Sequence, residues 1–444
     1  MAGPARVGLT AITIAGVSLT RRGWWFLGAS LIAFIGAYGG GRQELLYVAI
    51  LLLALPVVAI IVVRVRRPRL AVTRAFAPHI IQAGSTTSVT LAVRNTGPGR
   101  TLPSLWRDTV PWHPFATAES ELKALEPRGP RYRGNITSVG YDLRPPRRGI
   151  FPVGPLTIRV VDAFGLATAR ASVGDAQEII VTPEVIPLAD TGLSIPAGDG
   201  ESRLVQRRAT GDEDDIMTRE YRAGDAMRRV HWRASARHGD LMVRQEEQRS
   251  FPEARIILDT RRAGYRDLTD EDGDDAESDA FEWVVRMLAS VAVHLRRTGF
   301  LVTIDETGPA QLEEIGRGRR RTWGDEEFLG RLASLSLTDE PTPHGVERGS
   351  AGPIFALIGT PEPETVDWML AQRRPGELAV AFMVRNSSAL DMLDRSFGVP
   401  TAAPAIAQRF TDAGWLVVPV RSDDDHAAAW EAVVVETGRA RGTA

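Results

Sequence analysis

Two uncharged apolar runs near the start of the chain constrain its fold more than any other feature. They cover residues 24–41, WWFLGASLIAFIGAYGGG, and residues 45–63, LLYVAILLLALPVVAIIVV. Each run has about the length that a helix needs to cross a hydrocarbon core of about 30 Å. A secretory signal peptide would have one shorter run and no second span after it. We therefore predict a transmembrane helical hairpin within residues 1–69; the alternative is a hairpin buried in a soluble protein.

The charges around the two runs predict their orientation. The connection between the runs contains only Arg42 and Glu44. Basic residues flank both outer ends, namely Arg6, Arg21, Arg22, Arg64, Arg66, Arg67 and Arg69. Because positive charge is retained on the cytoplasmic side, we expect a two-pass protein of the cell membrane with its N- and C-termini in the cytoplasm.

Residues 70–187 follow a period of two, which is typical of half-buried strands. One example is residues 88–94, SVTLAVR, which a turn signal at residues 95–99, NTGPG, follows. The pattern predicts an immunoglobulin-like β-sandwich of about seven strands. Two clusters within it, residues 144–149 (RPPRRG) and 162–166 (DAFGL), are expected to form turns rather than ligand sites. Residues 188–218 are expected to form a linker.

Strand-like and helix-like patterns alternate through residues 251–444. An apolar strand, Ile256–Leu258, ends at Asp259, and an amphipathic helix follows with Trp283, Met287 and Val291 on its apolar face. Further strands are expected at 300–305, 353–358, 378–384 and 416–420, with helices at 325–335, 363–373, 404–413 and 426–436. This order predicts a doubly wound α/β domain whose sheet is mostly parallel, with helices on both faces. Ligand sites in such sheets lie beyond the carboxyl ends of the strands, the position of Asp259 and Thr260.

The motifs of the common enzyme classes do not occur in the sequence. The chain contains no cysteine, and its seven histidines have no metal-ligand spacing. The sequence also has no phosphate-binding loop, no dinucleotide fingerprint and no nucleophile elbow. We therefore expect a protein that is not an enzyme and has no cofactor and no metal.

The most distinctive polar stretch is the Arg-rich segment, residues 219–250. Lys123 is the single lysine among the 53 basic residues, so arginine abundance alone says little. The informative feature is the order of the arginines around a predicted Gly224-Asp225 turn and Trp232, where Asp225 would cap the turn and Trp232 would pack as an anchor. The expected interaction residues are Tyr221, Arg222, Gly224, Asp225, Arg228, Arg229, Trp232, Arg233, Arg237 and Arg244.

The same segment resembles a known family. Residues 221–225 (YRAGD), 228–237 (RRVHWRASAR) and 241–244 (LMVR) are similar to the signature of the bacterial "domain of unknown function 58" proteins. Residues 147–149, 154–156 and 162–166 are similar to the β-domain of that family.

The resemblance implies a C-terminal domain like von Willebrand factor type A and a partnership with a MoxR-type AAA+ ATPase. The metal site of such domains needs the pattern D-x-S-x-S after the first strand. Here residues 259–263 read DTRRA, so only Asp259 remains of a degenerate site, and no metal is expected.

These patterns together predict a membrane-anchored cytoplasmic adaptor, whose Arg-rich segment docks a partner protein involved in protein maturation or complex assembly. Guanidinium groups pair with carboxylates in a bidentate manner, and Arg and Trp are enriched among interface hot spots. An alternative is an enzyme or nucleotide-linked regulator with a site near Asp259 and Asp225. A third is a nucleic-acid binder, which the net charge of -2 and the acidic residues within the Arg-rich segment disfavour. We expect no nucleic-acid partner.

Overall fold

The computed structural model describes most of the chain, in two compact units. The described residues are 16–112, 119–129, 134–189, 218–221, 227, 230, 232–244, 252–265, 267, 278–312, 324–340, 352–385 and 402–442. One unit comprises residues 1–184 with 329–334, and the other comprises residues 185–328 with 335–444.

The first unit begins with a short strand and two long helices. Strand β1 (Val17–Leu19) leads into α1 (Arg21–Gly40), and α2 (Gln43–Val65) follows. Both helices are slightly longer than the predicted runs because each includes polar residues at its start. They have the length and apolar composition of membrane spans, and most of their side chains are exposed, which is compatible with a membrane anchor.

Ten strands follow the hairpin and form the predicted β-domain. They are β2 (Leu70–Ala77), β3 (Ile80–Gln82), β4 (Thr87–Asn95), β5 (Ser104–Asp108), β6 (Ser120–Leu122), β7 (Ile136–Leu143), β8 (Gly149–Val153), β9 (Leu156–Val161), β10 (Ala167–Val173) and β11 (Gln177–Thr182). Together with β1, these ten strands form three sheets, with the orders β1-β10-β9-β5-β6, β3-β11-β8 and β2-β4-β7.

The core of this domain includes strands whose residues alternate strictly between buried and exposed positions. On β4, Val89, Leu91 and Val93 are buried, whereas the residues between them are exposed. These three buried side chains of β4 pack in one cluster with Trp106 of β5 and Ile158 of β9, which belong to another sheet. The sheets therefore enclose a common core, as in a β-sandwich.

The described residues contain more strands in this domain than the seven or so that the sequence predicts. The additional strands include β3 and β6, each of three residues, which are too short to show an alternating pattern. Strand β1 was also missed, because it pairs antiparallel with β10, about 150 residues away in the sequence (Val17 opposite Ala169).

A buried ion pair lies inside the β-sandwich. Nε and Nη2 of Arg74 donate to the two carboxylate oxygens of Asp108, at 2.9 and 2.7 Å, and both side chains are buried. Nη1 of Arg74 donates to the carbonyl oxygen of Asp175 at 2.6 Å, and the hydroxyl of Tyr141 donates to Asp108 at 2.8 Å. Burial and the charge of Asp108 raise the pKa of Tyr141, so the phenol keeps its proton and remains a donor.

The second unit contains the predicted doubly wound domain. Before it in sequence come β12 (Thr218–Glu220), α3 (Trp232–His238) and β13 (Met242–Arg244). The domain itself comprises β14 (Glu253–Leu258), α4 (Asp279–Arg297), β15 (Leu301–Glu306), α5 (Asp325–Ala333), β16 (Ile354–Ile358), α6 (Pro363–Ala371), β17 (Ala379–Arg385), α7 (Ala402–Asp412), β18 (Leu416–Arg421) and α8 (His426–Gly442).

The sheet of this domain is parallel, in the order β15-β14-β16-β17-β18. Trp283 of α4 contacts Phe382 on one face, where Trp430 of α8 contacts Phe355. On the other face, α6 and α7 pack in a cluster that includes Ile257 of β14. The expectation of a parallel sheet with helices on both faces is confirmed, and Asp259 lies at the carboxyl end of β14, an interior strand between β15 and β16.

Candidate interaction site

The Arg-rich segment has a small framework of its own. Strands β12 and β13 pair antiparallel, with Thr218 opposite Arg244 and Glu220 opposite Met242. The ladder continues one step further, where the backbone N–H of Tyr221 donates to the carbonyl oxygen of Leu241 at 2.7 Å. The two ends of the segment that carries the predicted interaction residues are therefore fixed next to each other.

Helix α3 is held against this pair of strands. The backbone N–H of Met242 donates to Oγ of Ser235 at 2.8 Å. Val230 forms an isolated bridge with Val243, and both are buried. Gly239, with φ 82°, ends the helix in the left-handed conformation that glycine adopts without strain. The short helix thus depends on β13 for its position.

Trp232 does not act as the predicted packing anchor. It is 65% exposed at the first position of α3, whereas Val230, Met242 and Val243 provide the buried contacts. The chain leaves the bridge at Val230 and enters a helix at Trp232, so the two side chains have different environments.

Four described residues of the Arg-rich segment and its framework are exposed and either large and apolar or basic. Met227, Trp232 and Leu241 are exposed large hydrophobic residues, and Arg237 is exposed as well. Exposed aromatic and apolar groups beside arginine are typical of the centres of protein interfaces. The described part of the segment can therefore bind a partner through apolar contact and a guanidinium pair.

Several predicted interaction residues lie outside the described residues. Arg222, Gly224, Asp225, Arg228 and Arg229 belong to this group, so the capping role of Asp225 stays a prediction. Arg233 lies in α3 and Arg244 in β13, but only their backbones are described.

A second candidate site surrounds Asp259, where β14 ends. Oδ1 of Asp259 accepts from Oγ1 of Thr307 at 2.8 Å and from the backbone N–H of Arg261 at 3.3 Å. The hydroxyl of Tyr265 donates to the carbonyl oxygen of Asp259 at 2.7 Å. The side chain is fully buried, and burial raises its pKa to about 6.

The environment of Asp259 fits a structural role better than a ligand site. Its Oδ2 is buried without a hydrogen-bond partner, and a Cβ added to Gly264 would lie only 2.5 Å from it. The nearby Arg261 forms an ion pair with Glu362 at 2.5 Å. Within the described ranges, no group of three or more metal-ligating side chains is present.

Sequence reasoning missed the partners of Asp259. Thr307 directly follows β15, the strand next to β14 in the sheet. Because the carboxyl ends of neighbouring parallel strands lie together, the predicted strand at 300–305 could have identified Thr307. Glu362, the N-cap residue of α6 and the ion-pair partner of Arg261, had no comparable signal in the sequence.

Two buried groups of this unit should give opposite pH dependences of stability. The pKa of Asp259 is raised to about 6, so stability should increase as pH falls from about 6 to about 4. Burial lowers the pKa of His426 to about 4, so stability should decrease as pH falls from about 6.5 to about 4. Each shift corresponds to about 3 kcal/mol, and the two contributions oppose each other.

Variants that remove one of the two groups should therefore show the pH-dependent contribution of the other group to stability more clearly than the wild type does. Asp259→Asn should leave the contribution of His426 uncompensated, so that the thermal midpoint of the α/β unit falls from pH 6.5 to pH 4 more steeply than in the wild type. His426→Phe, which can retain the ring stacking on Trp283, should show the opposite slope. Parallel pH profiles for all three proteins would contradict the assignment of these two groups.

Two solved structures of one domain are similar to about a quarter of this chain. Comparison with curated proteins gives no match. A crystal structure of a CARDB domain from Pyrococcus furiosus, in complex with di-metal ions, is 16% identical, with a TM-score of 0.17, and covers 24% of this chain and 88% of that one. The solution structure of the same domain is 15% identical, with a TM-score of 0.16, and covers 24% and 95%. The β-sandwich assignment rests on its own strands and core.

The Arg-rich segment lies within the part of the chain that matches a known family. A family described as "Protein of unknown function DUF58" matches residues 217–266. The matched range contains β12, α3, β13, β14 and Asp259. This match to residues 217–266 supports assignment of the chain to the DUF58 family.

Proposed function

We propose that the chain is a non-enzymatic, membrane-anchored adaptor that docks a MoxR-type AAA+ ATPase through the Arg-rich segment. The observation that carries this proposal is that Trp232 and Arg237, both on α3, are exposed within the segment that matches the family. A large aromatic side chain that is exposed on a fixed framework favours a protein partner, since exposed apolar groups of this kind mark interaction sites.

The remaining parts of the proposal have their own support. The apolar hairpin supports an anchor in the cell membrane, with both termini in the cytoplasm. The parallel sheet and the position of Asp259 after β14 support a domain like von Willebrand factor type A. Because Oδ2 of Asp259 is buried and would lie only 2.5 Å from a Cβ on Gly264, a catalytic or metal-binding use of this carboxylate has less support than a structural one.

The orientation of the anchor is tested by reporters on the full-length chain. A reporter fused after residue 444 should behave as cytoplasmic, because basic residues flank the outer ends of both helices. A second reporter inserted after Gly41, between α1 and α2, should behave as periplasmic and serves as the control. A periplasmic signal at the C-terminus would overturn the proposed topology.

The partner is tested by purification of the full-length protein from native membranes. We expect an AAA+ ATPase of the MoxR type to be identified by mass spectrometry among the proteins that remain bound. Consistent recovery of the chain without any such ATPase, in the presence or absence of ATP, would count against the proposed partnership.

A further inference from the structure

The loop between β9 and β10, residues 162–166 (DAFGL), has a rigid conformation. Oδ2 of Asp162 accepts from the backbone N–H of Phe164 at 2.9 Å, and Oδ1 accepts from that of Ala167 at 2.6 Å. The N–H of Gly165 donates to the carbonyl oxygen of Asp162 at 3.0 Å. Asp162 is buried and holds both sides of the turn, so it leaves the Phe164 ring at a defined place on the outside.

This loop is bonded directly to the residue that starts the first apolar helix. Thr20 caps α1, and its Oγ1 donates to the carbonyl oxygen of Gly165 at 2.5 Å. The N–H of Thr20 donates to the carbonyl oxygen of Leu166 at 2.9 Å. A Cβ on Gly23 would collide with that same oxygen, so glycine permits this close approach of helix and loop.

Apolar packing also fixes the sandwich against the hairpin. Leu166, Ala167 and Ala169 form one buried cluster with Ala59 and Val63 of α2. Together with the β1–β10 ladder, this cluster packs the start of β10 against the helical hairpin. The position of Phe164 relative to a bilayer is therefore set by the position of the hairpin.

The start of α1 would lie at the boundary between headgroups and hydrocarbon. Its 20 residues span about 30 Å, roughly the thickness of the hydrocarbon core. Trp24 and Trp25, one turn into the helix, are exposed as interfacial aromatic residues commonly are. Arg22 is exposed, and its Nη1 lies 3.6 Å from the position of a Cβ on Gly165, next to Phe164 in the chain.

We propose that the β9–β10 loop is a lipid-binding element, in which the ring of Phe164 inserts at the headgroup boundary beside Arg22. The ring is 67% exposed on a loop that is rigidly tied to the start of the span. An apolar Phe side chain gains from burial at the boundary between headgroups and acyl chains, and a guanidinium group there pairs with lipid phosphate. The contact would fix the β-sandwich against the membrane surface. Lipid contact at Phe164 presupposes the membrane anchor proposed above.

The native chain contains no cysteine, so single cysteines can be labelled cleanly. The full-length protein would be reconstituted in vesicles of phosphatidylcholine and phosphatidylglycerol and labelled with an environment-sensitive fluorophore at Phe164→Cys. We expect blue-shifted emission, quenching by lipids that carry a spin label near the headgroup, and iodide quenching several-fold weaker than at a solvent-exposed control site. No other protein is present, so lipid alone would account for such a result.

Two further single-cysteine variants serve as controls, one at a water-exposed position and one within the proposed membrane span. Ala176→Cys lies in the exposed turn at the other end of β10 and should report water. Ile32→Cys lies in the middle of α1 and should be quenched by lipids that carry deep spin labels. A water-like signal at Phe164 with a lipid signal at Ile32 would overturn the loop proposal alone. A water-like signal at Ile32 would overturn the membrane anchor and the loop proposal together.

Discussion

Replacing Asp108 by asparagine is expected to reduce the free energy of unfolding of the β-sandwich by about 3–5 kcal/mol. The substitution leaves the guanidinium group of Arg74 buried without its carboxylate, at a site where Arg74 and Asp108 are almost inaccessible to water. It also places an amide opposite the Tyr141 hydroxyl, which now donates to Asp108. Hydrogen exchange of amides in β4 and β9 of the detergent-solubilised full-length protein measures the effect, since it reports local and global opening.

An exposed aspartate elsewhere in the same β-sandwich provides the matched control. Asp142 of β7 is exposed and accepts a hydrogen bond from Ser88, and Asp142→Asn should change protection of the same amides very little. A double variant, Arg74→Met with Asp108→Leu, should lose less stability than Asp108→Asn because no buried charge is left unpaired. Equal protection in Asp108→Asn and Asp142→Asn would contradict the importance of the ion pair.

Gly23→Ala should detach the β9–β10 loop from α1, although alanine is the better helix former. The new Cβ would collide with the carbonyl oxygen of Leu166, which accepts from the N–H of Thr20. Loss of this bond and of the bond from Thr20 to Gly165 corresponds to about 1–3 kcal/mol. Exchange of the Thr20 amide should therefore accelerate about five- to hundredfold.

The same helix contains the control for this substitution. A Cβ on Gly28 would meet no atom within 4 Å, so Gly28→Ala should leave exchange at Thr20 unchanged or slower. Equal exchange at Thr20 in Gly23→Ala and Gly28→Ala would show that the loop does not depend on close approach at Gly23.

Local pattern predicted the parts of the fold whose contacts are close in sequence. The alternation on β4 and the helical period through Trp283 and Val291 each bury one face, and both elements form as expected. The three-residue strand β1 was missed because its pairing partner, β10, lies about 150 residues away. A pattern so short contains no information about a distant partner.

The site was harder to predict, for related physical reasons. Asp259 was placed correctly at the end of a strand, but its enclosure depends on Gly264 and Thr307, which the fold brings together. Trp232 was expected to pack as an anchor, yet it is exposed at the start of α3, just after the bridge at Val230. The role of residues 162–166 as a turn was predicted, whereas their contact with Thr20 depends on tertiary structure.

The docking role of the Arg-rich segment is the central claim of the proposed function. Trp232→Ala and Arg237→Glu change exposed residues on α3, and the buried contacts of Val230 and Val243 remain in place. Arg94→Glu reverses an exposed charge on β4 of the β-sandwich and serves as the matched control. Loss of an interface hot spot typically reduces binding by more than about 2 kcal/mol, or roughly thirtyfold.

The most direct test is the affinity of the full-length protein, in detergent, for a purified MoxR-type ATPase from the same genome. We predict measurable binding by the wild type and by Arg94→Glu, and binding at least roughly thirtyfold weaker for the combination of Trp232→Ala with Arg237→Glu. Equal affinity of all three proteins for the ATPase would contradict docking through the Arg-rich segment.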